Sequence, residues 1–224
     1  DLIDDAAAAV AFAKMHPRID PERVILLGHS EGCMIAPAVH ERIPVQGMIL
    51  LAPAAEPLAH TTAWQREQMY EDLRTMPGFS GWLLRLLRVE NKIRKMNDDL
   101  IRLVQSSDEA VLRYKGRKIN AKWMREHDAY DVRETLKKVT CPVLSVAGSK
   151  DVQVKPEHAH AVCALVDAPC EAAVIPDLTH VLRKTDAELR FHSILKDYKR
   201  QVKQPLDDEL TDVIRRWLLG WLGR

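Results

Sequence analysis

Residues 24–39, VILLGHSEGCMIAPAV, place a serine between two glycines at the point where an apolar run ends and a helical pattern begins. Val24, Ile25, Leu26 and Leu27 read as a strand buried on both faces of a sheet, while Met34, Ile35, Ala38 and Val39 recur at helical spacing. Ser30 therefore falls on a strand-to-helix turn. Gly28 and Gly32 keep side chains out of that turn, which would lift the hydroxyl clear of the sheet at a helix N-terminus. The plain alternative is a serine N-cap followed by a chance glycine. The strand-turn-helix context favours a nucleophile.

A serine hydroxyl is a poor nucleophile at neutral pH and needs an adjacent base, which in turn needs an orienting acid. Where this turn carries a nucleophile, the acid and then the histidine follow on loops beyond later strands. Asp151 follows the strand-like CPVLSVAG (141–148), and His180 follows EAAVIP (171–176). Asp177 competes as the acid, but three residues before His180 on one loop it is poorly placed to accept from that imidazole. The reading is thus Ser30, Asp151 and His180, with the backbone N–H of Glu31 as an oxyanion donor. His29 reads as a neighbour packed under the turn rather than a base. His158 and His160, two apart on a helix, face different ways, and the other histidines lack partners at ligand spacing, so no metal is expected. The chemistry needs no cofactor.

These residues require a scaffold of alternating strands and helices. An amphipathic helix over residues 1–16, with Ile3, Ala7, Val10 and Ala13 on one face, is closed by Pro17. A second strand follows at 46–53, a helix at 156–168, and a last helix carries Leu210, Val213, Ile214, Trp217, Leu218 and Trp221. The alternation predicts an α/β fold with a mostly parallel sheet flanked by helices. The interval from Ala54 to Thr140 breaks it, being charged and helical throughout, and reads as an insertion. The expected organisation is a core at 1–54 and 136–224 with a helical cap inserted at 55–135. Within the cap, GWLLRLLRVENKIRKMNDDLIRLV is strongly amphipathic. Its Trp and Leu beside Arg and Lys could suit a membrane-surface helix, but the ordinary cap helix is the favoured reading, because it shows the same pattern and Asp98 and Asp99 follow the basic residues.

The chain has 224 residues, with 33 basic and 32 acidic side chains for a formal charge of +1, which gives no general footprint for nucleic acid. No stretch reaches the length of a membrane span. The opening DLIDD is acidic where a signal peptide is basic, and Cys33, Cys141, Cys163 and Cys170 form no C-x-x-C pair, so reduced, mostly buried thiols of a cytoplasmic protein are expected, with a disulfide as the minor alternative. Oligomeric state is not legible.

GHSEG at 28–32, LAPAAEPL at 51–58, AYDVRETLKKVTCPVLSVAGSKDVQV at 129–154 and DLTHVLRK at 177–184 together resemble the α/β-hydrolase superfamily, most closely bacterial serine hydrolases of the esterase and acylaminoacyl-peptidase-like group. The resemblance covers nearly the whole chain and implies cleavage of an ester-like or amide-like acyl bond through a serine acyl-enzyme. It also implies strands before the first helix, and a loop among them supplying a second oxyanion donor. Here only about twenty residues precede the strand before Ser30, so a chain lacking its N-terminal strands is expected, with the roughly 100 to 1000-fold loss that one absent donor brings. The substrate reading is a small-molecule acyl or aryl ester, with Trp64, Trp82 and Trp123 as pocket lining. Two rivals stand beside it. An amide hydrolase with the same three residues would need carboxylates for a substrate amino group, for which Glu56, Glu67 and Glu71 are candidates. A non-catalytic binding module is the other. Haloalkane chemistry is disfavoured, because its nucleophile is an aspartate and residue 30 is serine.

Overall fold

The structure, a computed structural model, describes residues 2–223. Its elements run α1 (Leu2–Met15), β1 (Ile25–His29), α2 (Gly32–Arg42), β2 (Gly47–Leu51), α3 (Leu58–Thr75), α4 (Gly78–Leu86), α5 (Val89–Gln105), β3 (Val111–Tyr114), β4 (Arg117–Asn120), α6 (Ala121–Ala129), α7 (Val132–Leu136), β5 (Val143–Gly148), α8 (His158–Leu165), β6 (Cys170–Ile175), α9 (Phe191–Gln201) and α10 (Asp208–Leu222). They divide into two compact units. The first holds the chain up to Glu56, Asp131–Leu189 and the segment from Ser193 onward; the second holds Pro57–Tyr130 with Arg190–His192.

In the first unit β1, β2, β5 and β6 lie side by side in that order, and every pairing is parallel. Strands so paired must be crossed by helices, and helices on both faces explain why β2 and β5 are buried along their whole length. Side chains alternate across the sheet. Ile49, Leu51, Leu144, Val146 and Ile175 pack with Leu210 and Trp217 of α10, and the Trp221 indole N–H closes the end of that helix onto the Gln46 carbonyl at 2.8 Å. The expected face of α1 is the one turned inward, with Ala7 and Val10 buried. All the strands placed by the apolar runs are present.

Three features depart from expectation. The interval read as wholly helical contains an antiparallel hairpin, β3–β4, whose Lys115–Gly116 turn has φ of 48° and 81°. Positive φ at both central residues is the geometry that suits the twist of a two-residue hairpin. The amphipathic stretch at 81–104 is also two helices, broken at Arg88, which sits at φ 50°. The cysteines are not all free thiols. Cys163 at the end of α8 and Cys170 at the start of β6 are joined by a disulfide across a Cα separation of 5.3 Å, because the short crossover returns the chain beside itself. Cys33 and Cys141 are the free, buried ones.

Candidate active site

β1 ends at His29 and α2 begins at Gly32, so the turn between them has two residues, Ser30 and Glu31. Ser30 takes φ 54°, a left-handed conformation that costs a non-glycine residue free energy and persists only where its surroundings impose it. Its N–H is held by the Leu51 carbonyl of β2 at 3.0 Å, and its carbonyl receives the Cys33 N–H at 2.9 Å. Gly28 is required by this turn: a Cβ there would run into the Gly32 carbonyl and come within 2.8 Å of the Cys33 nitrogen. Gly32 is not required on the same ground, since a Cβ there meets nothing within 4 Å. That corrects the expectation that both glycines relieve crowding; the backbone of Gly32 is what Gly28 must clear. The Cys33 thiol, buried beneath the turn, lies within donating distance of the Gly28 and Leu51 carbonyls at 3.3 and 3.1 Å. Burial pushes its pKa far up, so it is an inert prop.

The loops after β5 and β6 are laced together. Ser149 and Lys150 donate their N–H groups to the Ile175 and Leu178 carbonyls at 2.9 and 3.0 Å, and the Asp177 N–H reaches Ser149 Oγ at 2.8 Å. Gly148 permits this approach, since a side chain there would strike the Leu178 backbone. The lacing brings Asp151 of one loop to His180 of the other: His180 Nδ1 lies 2.8 Å from Asp151 Oδ2, and His180 Nε2 lies 2.9 Å from Ser30 Oγ. A carboxylate only accepts, so Nδ1 carries the proton and Nε2 is left to accept from the serine hydroxyl. Asp151 Oδ1 accepts the N–H groups of Gln153 at 2.7 Å and Val154 at 3.0 Å, so both its oxygens are committed and it is almost wholly buried. Imidazole between carboxylate and hydroxyl is the arrangement by which a serine can lose its proton while attacking a carbonyl carbon.

Asp177 is elsewhere. It is exposed, at φ 58°, and pairs with Lys150 at 3.0 Å. The Glu31 N–H, at the head of α2, has no partner among the described residues and is available to an oxyanion. Trp64, Trp82 and Trp123 belong to α3, α4 and α6 of the second unit, and no ring contact joins them among the described residues; Trp82 stacks on Phe79 and Trp123 lies against His127. Glu56 is held by Lys155 at 3.0 Å, Glu67 by Arg94 at 2.8 Å and Glu71 by Arg74. Each of these carboxylates already faces a cation of its own. No group of three histidine, cysteine or acidic side chains converges to hold a metal ion among the described residues.

Sequence reasoning missed three supports. His29 is not under the turn: its Nε2–H donates to the His180 carbonyl at 2.8 Å, its ring lies 5.0 Å from the His180 ring, and desolvation lowers its pKa. Tyr198 of α9 lies beside Gln153, with burial pushing its pKa up to about 12. Thr179, next to His180, lies 2.5 Å from the buried Gln201 side chain, which donates to Asp197 at 2.8 Å. Nothing in the sequence near Ser30 marks the contact His29 makes, and α9 carries no motif to draw attention to its polar face.

A parallel sheet with helices on both faces, bearing a serine at its strand-to-helix turn and an acid and a histidine at later strand ends, defines the α/β-hydrolase fold. The chain belongs to the serine aminopeptidase S33 family of that fold (Hydrolase_4), whose sequence profile matches residues 1–186. It is similar to esterase EstD of Thermotoga maritima, with 26% identity over 223 residues that cover 98% of this chain and 48% of the relative. The chain thus spans about half the length of that relative. Among solved structures it resembles Est1E from Butyrivibrio proteoclasticus with ferulic acid bound, at TM-score 0.50 and 21% identity, covering 90% of this chain and 68% of that one. A thermophilic esterase from Thermogutta terrifontis, bound to malate, matches at TM-score 0.50 and 21% identity, covering 98% and 71%. Likeness at that level speaks for the fold. No helix among the described residues is long and apolar enough to cross a membrane.

Proposed function

We infer that the protein is a serine hydrolase that cleaves a carboxylic ester of a small molecule through an acyl-enzyme, with Ser30 as nucleophile, His180 as base and then acid, and Asp151 orienting the imidazole. The carrying observation is the continuous relay Ser30 Oγ, His180 Nε2, His180 Nδ1, Asp151 Oδ2, with its links of 2.9 and 2.8 Å. Ser30 Oγ attacks the acyl carbon as its proton passes to Nε2; the Glu31 N–H receives the developing oxyanion. The imidazolium returns that proton to the departing alkoxide. Water, deprotonated by the same Nε2, then releases the acid and restores the serine. In this reading the second compact unit, Pro57–Tyr130 with Arg190–His192, serves as the cap domain that sets substrate size and polarity.

The ester reading is supported over the aminopeptidase one by Glu56, Glu67 and Glu71. All three are ion-paired within the chain, so none stands ready for a substrate's amino group. Esterase EstD is named as an esterase, which points the same way. The test is fluorophosphonate labelling of the protein and of Ser30→Ala, located by mass spectrometry, followed by paired acyl esters and aminoacyl amides. Adduct at Ser30 with ester turnover exceeding amide turnover is expected. No adduct returns the chain to the class of binding modules; preferred amide turnover replaces the ester reading with the peptidase one.

A further inference from the structure

Within the second unit, α4 and the residue that caps its end present Phe79, Trp82, Leu83, Leu86 and Leu87 to solvent, with Phe79 75% and Leu86 61% exposed. Their spacing, i, i+3, i+4, i+7 and i+8, is that of one helical face. Globular proteins scatter single apolar residues over their surfaces; a contiguous aromatic and leucine stripe is a contact surface. The stripe is organised, since Phe79 and Trp82 stack with ring centroids 5.5 Å apart. The Arg85 guanidinium fixes the corner beneath it by donating to the Arg74 and Met76 carbonyls at 3.2 and 2.9 Å.

Charge decides what the stripe meets. Between Phe79 and Lys95 the chain carries Arg85, Arg88, Lys92, Arg94 and Lys95 against the single acid Glu90, which Arg94 occupies. Arg88, Lys92 and Lys95 are exposed and have no carboxylate partner among the described residues. A crevice of about 110 Å³ lies beside the stripe, lined by Arg74, Arg85 and Arg88 together with Leu73 and Leu84, and its one carboxylate, Glu90, is already paired with Arg94. It offers cationic walls next to an apolar face. A second copy of this chain docking through the same face would set those cations against their own images, since a two-fold interface joins a patch to itself. An anionic lipid surface satisfies both halves, taking the aromatic and leucine side chains among acyl chains and the guanidinium and ammonium groups among headgroup phosphates.

We propose that α4 and the basic corner at Arg88–Lys95 dock the protein on an anionic lipid surface. This concerns binding alone and is independent of the chemistry assigned to Ser30. The test is co-sedimentation of the protein with phosphatidylcholine vesicles that contain or lack phosphatidylglycerol, at low and high salt. Binding to the phosphatidylglycerol vesicles that weakens with salt is expected. Phe79→Ser/Trp82→Ser/Leu86→Ser should weaken it at least about tenfold, from the apolar area removed. Arg88→Gln/Lys92→Gln/Lys95→Gln should weaken it about 100-fold, at about fivefold per charge, while changing little on phosphatidylcholine alone. All six positions are outside the buried core, and circular dichroism checks that both variants keep the fold. Ser30→Ala should bind like the unaltered protein. Absence of the unaltered protein from the phosphatidylglycerol pellet would overturn the proposal, as would undiminished binding by the triple serine variant. A concentration-dependent dimer that the serine variant abolishes would assign the face to a second copy instead.

Discussion

Asp151→Asn separates the orienting role of this carboxylate from a merely electrostatic one. In the native protein Oδ1 accepts two backbone N–H groups, from Gln153 and Val154, and Oδ2 accepts from His180 Nδ1. An asparagine has one accepting oxygen. If it turned that oxygen toward His180, its NH₂ group would face two buried N–H donors, and each donor left unpaired costs about 1–3 kcal/mol. The amide therefore keeps its oxygen on Gln153 and Val154 and presents NH₂ to Nδ1. That donor demands a lone pair on Nδ1, so the proton moves to Nε2, which can then no longer accept from Ser30. The turn and the loops stay as they are; only the tautomer is wrong. The expected loss in kcat is on the order of 10⁴, about 5.5 kcal/mol of transition-state stabilisation, with KM little changed. The assay is steady-state ester hydrolysis paired with the rate of fluorophosphonate labelling, which reports nucleophile activation without relying on turnover. Asp177→Asn is the control and should stay within about twofold, because its carboxylate only meets Lys150 at the surface. Retention of more than about a tenth of kcat by Asp151→Asn, or an equal loss in Asp177→Asn, would refute the reasoning.

Further outcomes follow from the same contacts. Gly28→Ala should lower stability by about 1–3 kcal/mol, read as a fall of several degrees in Tm, whereas Gly32→Ala should cost less than about 1 kcal/mol despite lying in the same motif. Ser145 Oγ is fully buried on β5 without a hydrogen-bond partner among the described residues, so Ser145→Ala should leave stability unchanged or raise it by about 1 kcal/mol in urea unfolding. Burial lowers the pKa values of His40 and His158 below 6.5. The unfolded chain therefore binds more protons than the folded one, so stability is full above about 6.5 and declines as pH falls from there through the depressed folded values. Urea midpoints measured from pH 7 down to pH 5 should fall, and His40→Gln should flatten that fall. Denatured, unreduced protein should show two free thiols of its four cysteines, and reduction should cost about 2–2.5 kcal/mol from the short loop released.

The strands were legible because a parallel strand buried on both faces leaves an apolar run, unbroken at Met48–Leu51 and interrupted only by Ser145 at Val143–Ala147. Ser30 was legible because its glycine-flanked turn interrupts such a run, and Asp151 and His180 because each directly follows one. The hairpin β3–β4 left a fainter trace. Arg113, Lys115, Arg117 and Lys118 hide its alternation, and only Lys-Gly at its turn marks it. The Cys163–Cys170 bridge depends on how α8 and β6 meet, which spacing alone does not state. His29 and Gln201 act through the main chain and side chain of the histidine loop, across long sequence separations, and no local pattern records such a contact.

The long segment of the second unit, Pro57–Tyr130, leaves and returns at one place. The Leu58 N–H donates to the Tyr130 carbonyl at 3.2 Å, so an excursion of more than seventy residues begins and ends within one hydrogen bond. The strands on either side of it, β2 and β5, are direct neighbours in the sheet. A segment whose two ends coincide can lengthen, shorten or be replaced by another without altering the register of Met48 against Val143, or the paths that bring Ser30, Asp151 and His180 together. Variation in one part of the gene is thereby uncoupled from the part that must not vary, and the surface on α4 can be gained or lost in descent as a single exchange.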